Sequence, residues 1–170
     1  MVSTPFFEAI IALSQLKKRK RSGWIRHGVK NPESVAEHSW RAGIMAYILA
    51  PKGYNKDKML RMGILHDITE IFGEDYTPGD GISAKEKLKR EKKSVQKFLK
   101  LLPSSTQKEW YALWEEFEFN KSKEAKFVKE IEVLEMLFQA YEYEKEKNFK
   151  EDLTEFLEYE RNNRKLLSHP

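Results

Sequence analysis

The segment at residues 56–72, KDKMLRMGILHDITEIF, combines a helical pattern of apolar residues with ionisable side chains where apolar ones are expected. Met59 and Met62 follow the spacing that places side chains on one face of a helix, and the next positions in phase are His66 and Glu70. An imidazole or carboxylate is costly to bury without a partner. The segment therefore predicts a helix with a polar site on its buried face.

A second predicted helix, over residues 32–50, shows the same kind of exception. Val35 and Ala42 belong to an apolar stripe, and His38 occupies the position that completes its spacing. A single buried histidine is most often a structural residue with hydrogen-bond partners in the core. Two inward histidines on separate helices, one of them followed by Asp67, instead favour a shared site. Imidazole nitrogen and carboxylate oxygen together suit a divalent ion such as Mn²⁺, Co²⁺, Fe²⁺, Ni²⁺ or Zn²⁺.

A further metal ligand is expected from the helix predicted over residues 122–146. Glu132 and Glu135 stand beside an apolar stripe that includes Ile131 and Leu134. The alternative is that both are surface glutamates, which are common at this spacing on helices. The residues alone leave open whether Glu132, Glu135 or a water molecule completes the site.

The rest of the chain also reads as helices joined by short loops, because Gly (8 residues) and Pro (6 residues) are scarce and fall between periodic segments. Asn31 is the expected N-cap of the second helix, residues 20–31 are expected to form a loop, and no stretch alternates as a strand requires. We predict an all-α, single-domain helical bundle over residues 1–170. The predicted helices cover residues 4–19, 32–50, 56–72, 83–101, 104–118, 122–146 and 149–166.

Composition narrows the class of protein. A chain of 170 residues with 40% apolar residues can bury the core of one domain. Cysteine is absent, which excludes disulfides, Cys-ligated zinc and a thiol nucleophile. No apolar run approaches the ~20 residues of a membrane-spanning helix, and the N-terminus lacks the features of a secretory signal. We therefore expect a cytoplasmic protein that does not bind membranes.

Positive charge is concentrated in one segment. Seven Lys and Arg residues and no acidic residue fall within residues 16–30, although the net charge of the chain is only +4. Such a cluster can bind nucleic acid or the phosphate of a smaller ligand, and it can equally be the solvated end of the first helix. A helical nucleic-acid-binding module is therefore an alternative function, but it does not explain why His38, His66 and Glu70 face inward.

Six separated stretches form one pattern. They are RSGW at residues 21–24, NPESVAEHS at 31–39, LHDITE at 65–70, GEDYTP at 73–78, EAKFVKEIEVLEM at 124–136 and QAYEYE at 139–144. Together they resemble the HD-domain metal-dependent phosphohydrolases, and more narrowly the 5′-deoxynucleotidase branch of that family. The resemblance extends over most of the chain and implies a helical bundle of the HD-domain type.

This resemblance implies a set of metal ligands. His38, His66 and Asp67 match ligands of the family. The last ligand of the family is an aspartate, and Glu132 occupies its place here. Glutamate is one methylene longer but can still bind a metal through oxygen, so we expect Glu132 to be the fourth ligand.

The resemblance also implies catalytic and substrate-binding residues. Glu70 is expected to be the catalytic acid/base, and Asp75 a second carboxylate near the scissile phosphate. Arg21 and Trp24 match a segment that contacts the phosphate and sugar of the substrate, and Arg26 is a rival phosphate contact. An alternative for Trp24 is a structural role in which it anchors a loop to the core.

The expected function is that of a metal-dependent phosphomonoesterase that converts deoxynucleoside 5′-monophosphates to deoxynucleosides and phosphate. A second enzymatic possibility is hydrolysis of another phosphoester, such as a cyclic nucleotide or an alarmone. The resemblance also implies a homodimer, for which the aromatic helix at residues 104–118 is the predicted source of an apolar patch.

Overall fold

The computed structural model describes residues 4–73, 81–150 and 153 and is a bundle of helices. These residues contain no strand, only one isolated antiparallel bridge between Lys20 and Ser34, so the predicted all-α fold is confirmed. No helix among them is both long and apolar enough to cross a membrane. The α-helices are α1 (Pro5–Lys18), α2 (Ser22–Arg26), α3 (Val35–Ile48), α4 (Lys56–Leu65), α5 (Ala84–Leu99), α6 (Ser104–Glu118) and α7 (Lys123–Glu146), and a 3₁₀ helix (His66–Ile71) follows α4 directly.

The segment before α3 differs from the prediction. Residues 22–26, expected to lie in a loop, form the short helix α2. The N-cap of α3 is Ser34 and not Asn31, because Ser34 forms a capping box with Glu37. The Ser34 hydroxyl accepts a hydrogen bond from the Glu37 N–H at 3.2 Å, and the Glu37 carboxylate accepts one from the Ser34 N–H at 2.5 Å. Two backbone donors are thus satisfied at the start of the helix.

The predicted helix at residues 56–72 is wrong beyond Leu65, where the chain tightens into the 3₁₀ helix. The Nδ1 atom of His66 donates a hydrogen bond to the carbonyl of Gly63 at 2.7 Å. A continuous α-helix would use the same carbonyl for the N–H of Asp67, so the side chain competes with the backbone there. Residues three apart lie over one another in a 3₁₀ helix, which places Glu70 on the same side as Asp67.

α3 and α4 pack closely because two glycines face each other. A Cβ atom on Gly63 would lie 2.5 Å from the Cα atom of Gly43, a distance at which one backbone would have to move. Close approach of the two helices is therefore possible only without side chains at this crossing. The approach brings the buried side chains of His38 on α3 and His66 after α4 into the same interior.

The aromatic residues of α6 belong mainly to the core. Trp114 and Phe117 are buried, and Trp110 is half-buried with its ring stacked on Phe98 of α5 at 6.2 Å between ring centroids. Burial of these rings leaves little aromatic surface on this helix for the predicted dimer patch, and of the residues Trp110, Trp114, Phe117 and Phe119 only Phe119, just beyond the end of the helix, is exposed.

α7 ends at Glu146, as predicted, and Lys147 follows in a left-handed conformation with φ of 51°. The helix predicted over residues 149–166 is not present at 149 and 150, and most of it lies outside the described residues. Leu153 is buried in a small cluster that includes Trp24 and Tyr143, so the chain after α7 packs near α2.

Candidate metal centre

Three ligand atoms from α3 and the 3₁₀ helix converge in the interior. The Nε2 atoms of His38 and His66 lie 3.3 Å apart. The Oδ2 atom of Asp67 lies 3.1 Å from His66 Nε2 and 3.8 Å from His38 Nε2. The three side chains thus offer nitrogen and oxygen ligand atoms that lie within 4.8 Å of one another. The structure brings together three of the four predicted metal ligands.

The other ring nitrogen of each histidine is already engaged. His66 Nδ1 donates to the carbonyl of Gly63, and His38 Nδ1 contacts the carboxylate of Glu135. Burial raises the pKa of Glu135, but the hydrogen bond from His38 and the charges of His38 and Arg41 outweigh it, so this pKa lies below its usual value. Glu135 is therefore ionised and accepts the proton of His38 Nδ1.

With protons on both Nδ1 atoms, the lone pairs of both Nε2 atoms point at each other and at a carboxylate. A positive charge between the three atoms, supplied by a proton or by a metal ion, stabilises this arrangement. Two imidazole nitrogens and one carboxylate oxygen are the ligands that a borderline divalent ion prefers. The residues present therefore fit a divalent metal ion.

The electrostatics of the cluster lead to the same conclusion. Burial opposes protonation of His66, but the charge and hydrogen bond of Asp67 and the charge of Glu132 raise its pKa to about 9. Burial would also raise the pKa of Asp67, yet the neighbouring His66, Arg21 and His38 hold it well below its usual value. The pocket thus stabilises an added positive charge, which a proton or a metal ion can provide.

Glu135 is not available as the fourth ligand. One of its oxygens accepts from His38 Nδ1, and the other accepts from Arg41 Nε at 2.7 Å. Glu33, His38 and Glu135 also lie close enough to form a second cation site, but the guanidinium of Arg41 already supplies the positive charge there. Of the two glutamates left open by the sequence, Glu135 thus has both carboxylate oxygens engaged by other side chains.

Glu132 is half-buried on α7, and its negative charge contributes to the raised pKa of His66. It therefore lies near the cluster. It is not among the residues whose ligand atoms already converge, so its role as a metal ligand stays a prediction.

Arg21, one of the two predicted phosphate contacts, reaches the cluster. Arg21 Nη1 lies 3.5 Å from Asp67 Oδ2. Arg26, at the end of α2, is exposed. The guanidinium of Arg21 thus lies beside the Asp67 carboxylate of the cluster, which favours Arg21 of the two rival phosphate contacts.

Trp24 has a buried position that fits the structural alternative to a substrate contact. Its ring is only 2% exposed and packs edge-on against Tyr143 with 5.3 Å between centroids. Its Nε1 donates a hydrogen bond to Glu33 Oε1 at 2.9 Å. Such burial and contacts are those of a residue that anchors a loop to the core, and a contact between Trp24 and the substrate stays a prediction.

The two predicted catalytic carboxylates differ in what the structure describes. Glu70 is buried on the 3₁₀ helix, in the segment that also provides His66 and Asp67. Its inward position, which the apolar spacing predicted, is confirmed. Asp75 lies outside the described residues, so its position is not available for comparison.

Three residues of the site had no predicted role. Arg41 follows His38 by three positions, and this spacing on one helix face was a detectable signal. Glu33 and Tyr143 meet where the Glu33 N–H donates to the Tyr143 hydroxyl at 2.7 Å. Burial and the charge of Glu135 raise the pKa of Glu33 to about 6 despite the opposing effects of its neighbours. No sequence spacing indicates this contact between residues 110 positions apart.

Comparison with known proteins identifies the family. Residues 13–169 match the family model of the HD domain. The chain is 42% identical to the bovine protein named 5′-deoxynucleotidase HDDC2 over 132 residues, which are 78% of this chain and 64% of the bovine protein. It is 35% identical to the Schizosaccharomyces pombe protein named 5′-deoxynucleotidase hdd1, over 98% of this chain and 82% of that protein.

A solved structure, described as a predicted metal-dependent phosphohydrolase from Magnetospirillum magnetotacticum, superimposes with a TM-score of 0.70 at 28% identity, covering 82% of this chain and 71% of that one. The chain spans slightly less than two thirds of the length of the bovine relative. The helical fold, the buried His-Asp cluster and these similarities agree: the chain belongs to the HD domain family.

Proposed function

We propose that the protein is a metal-dependent phosphomonoesterase that hydrolyses deoxynucleoside 5′-monophosphates to deoxynucleosides and phosphate. The observation that carries this proposal is the convergence of His38, His66 and Asp67 in a buried pocket beside Arg21. The names of the bovine and S. pombe relatives support the choice of substrate.

The roles of the residues follow from their positions. His38, His66, Asp67 and Glu132 would hold a divalent ion, which would supply Lewis-acid chemistry at the phosphate. Arg21 neutralises phosphoryl oxygens, for which a guanidinium has suitable bidentate geometry. These assignments place the scissile phosphate between the metal ligands and α2.

Glu70 is the group that moves the proton. In the proposed reaction the oxygen of a water molecule forms a bond to phosphorus while the bond from phosphorus to the 5′ oxygen breaks. Glu70 accepts a proton from the attacking water and returns one to the departing 5′ oxygen. Asp75, four residues beyond the 3₁₀ helix, is proposed as a second carboxylate near the phosphate.

The test is a panel of substrates with metals. Purified protein is stripped with a chelator and incubated with Co²⁺, Mn²⁺, Ni²⁺, Fe²⁺ or Zn²⁺ and with dAMP, dGMP, dCMP, dTMP or the matching ribonucleotides, and released phosphate is measured. We expect release from deoxynucleotides only when metal is returned. Release from cyclic nucleotides or alarmones instead would favour the second enzymatic possibility. Steeply salt-dependent DNA binding without hydrolysis would favour the nucleic-acid-binding module.

Glu132→Ala is expected to weaken metal binding at least ~10-fold, because a ligand is lost from an otherwise intact pocket. The change is measured as the Kd for Mn²⁺ by calorimetry. Glu132→Asp restores the residue type of the family and is expected to bind metal well, and Glu146→Ala, at the exposed end of α7, is the control. If Glu132→Ala binds metal as tightly as the unaltered protein, water completes the site.

We also propose that the chain forms a homodimer, through α3 and not α6. Trp40, Ile44, Tyr47 and Ile48 form an exposed apolar stripe on α3, with Trp40 63% exposed, and such faces are typical of interaction surfaces. Sedimentation analysis is expected to give twice the chain mass of 20.1 kDa for the unaltered protein and the monomer mass for Trp40→Glu. Phe119→Glu, on the α6 side, is expected to stay dimeric, and a monomeric unaltered protein would refute the interface.

A small nucleotide is the only partner needed for the proposed reaction. Nucleic acid and membranes have no part in it. A cytoplasmic location stays a prediction from the sequence, and it is tested by imaging the tagged protein in its own cells.

A further inference from the structure

A chain of polar contacts links His38 to the opposite helix. Arg41, one turn after His38 on α3, donates from Nε to Glu135 Oε1 at 2.7 Å, and Glu135 Oε2 contacts His38 Nδ1. The two remaining nitrogens of the guanidinium donate to Gln139 Oε1 at 2.6 Å and to Glu142 Oε2 at 2.8 Å. Arg41 therefore donates hydrogen bonds to three residues of α7.

Burying this series of polar contacts has a desolvation cost. The side chains of His38 and Glu135 are fully buried, and that of Arg41 is 25% exposed. Replacing buried ion pairs by well-packed apolar residues is often neutral or stabilising, so stability alone does not explain these residues. The contacts from Arg41 through Glu135 to His38 do determine the orientation of the His38 ring.

We propose that Arg41 is a positioning residue of the metal centre. It fixes the carboxylate of Glu135, and Glu135 fixes the rotation and tautomer of His38, so that the lone pair of His38 Nε2 faces His66 and Asp67. The inference rests on the proposed metal binding and adds to it two residues that do not touch the ion.

The physical reason lies in what the carboxylate would do without its second partner. With Oε1 released, Glu135 can rotate away from His38 Nδ1, and the imidazole can then turn or move its proton to Nε2. A proton on Nε2 removes the lone pair that binds metal. Partners that orient a ligand in this way typically contribute 10- to 100-fold to metal affinity.

The test compares four variants: Arg41→Ala, Glu135→Gln, the double variant and Glu142→Gln. The last is the matched control, because Glu142 contacts Arg41 on the exposed side and has no contact with His38. Two quantities are measured. One is the Kd for Mn²⁺ by calorimetry, and the other is the tautomer of His38 in the metal-free protein, from the ¹⁵N chemical shifts of its ring.

We expect the metal-free protein to have the proton of His38 on Nδ1 and the Arg41→Ala and Glu135→Gln variants to show mixed tautomers. Each of the two is expected to bind Mn²⁺ at least ~10-fold more weakly. The double variant is expected to have about the same Kd for Mn²⁺ as the single variant with the larger loss, because both residues act through one series of contacts. Glu142→Gln is expected to stay within about 2-fold of the unaltered protein, since Arg41 keeps Glu135.

Two results would overturn the proposal. One is unchanged affinity and tautomer in Arg41→Ala, and the other is losses that multiply in the double variant, which would show that the two residues act independently. If Arg41→Ala does not fold, Arg41→Met decides by the same measurements, because methionine keeps most of the aliphatic side chain but cannot donate a hydrogen bond to Glu135. Absence of metal binding by the unaltered protein would refute the metal centre itself, which distinguishes the two failures.

Discussion

Replacing His66 with alanine is expected to remove the bound metal and to lower phosphate release at least ~10³-fold, because the Lewis acid contributes several kcal/mol to the transition state. His66 holds both other described ligands at close range: its Nε2 lies 3.3 Å from His38 Nε2 and 3.1 Å from Asp67 Oδ2. Metal content after dialysis, initial rates with a deoxynucleotide, and the rise in melting temperature caused by added Mn²⁺ measure the effect.

His27→Ala is the control for this variant. His27 is also buried, and its Nδ1 contacts the carbonyl of Gly23 at 2.9 Å, but it is not part of the ligand cluster. Its replacement is expected to lower stability while leaving the metal stoichiometry unchanged. A His66→Ala variant that keeps its metal and its activity would show that the imidazole pair is a structural feature of the core.

Replacing Glu70 with alanine is expected to lower turnover at least ~10²-fold while the metal content stays intact, since that is a typical contribution of a general acid/base. Glu70→Gln tests the same role at nearly constant volume, so that a packing defect does not account for the loss. Turnover is measured at saturating substrate and metal, and bound metal is quantified in the same samples.

Glu124→Gln serves as the control for Glu70, because Glu124 is a buried glutamate that pairs with Lys58 at 3.1 Å away from the ligand cluster. It is expected to retain normal turnover. Unaltered turnover in both Glu70 variants would remove Glu70 from the mechanism and leave Asp75 as the remaining predicted catalytic carboxylate.

The sequence predicted the parts of the site that depend on helical periodicity. His38 and Glu70 lie at positions where an apolar residue would be in phase, and both are buried. Such polar residues can be detected in the sequence because the spacing of apolar residues within a single helix identifies each position as buried. Helical periodicity does not indicate that the helix tightens at His66, because that change depends on a side-chain hydrogen bond to Gly63 that competes with the backbone.

Residues that depend on how helices pack were missed or misjudged. From the sequence, Glu135 could be either a ligand or a surface residue. The packing of α3 against α7 brings Arg41 into contact with it, and Arg41 donates a hydrogen bond to one of its oxygens. Trp24 matched a substrate-binding motif, but its burial depends on Tyr143, over 100 positions later in the chain. Contacts between distant segments leave no periodic signal in the sequence.

The glycine crossing of α3 and α4 has a consequence for which cations the protein accepts. With the two backbones in contact at Gly43 and Gly63, the gap between the imidazoles has little freedom to widen or narrow. A metal site with fixed distances between its ligand atoms discriminates among ions by their radius and metal–ligand bond length, because the ligands cannot move to fit a larger ion. Preference among divalent ions would then be set by the spacing of α3 and α4.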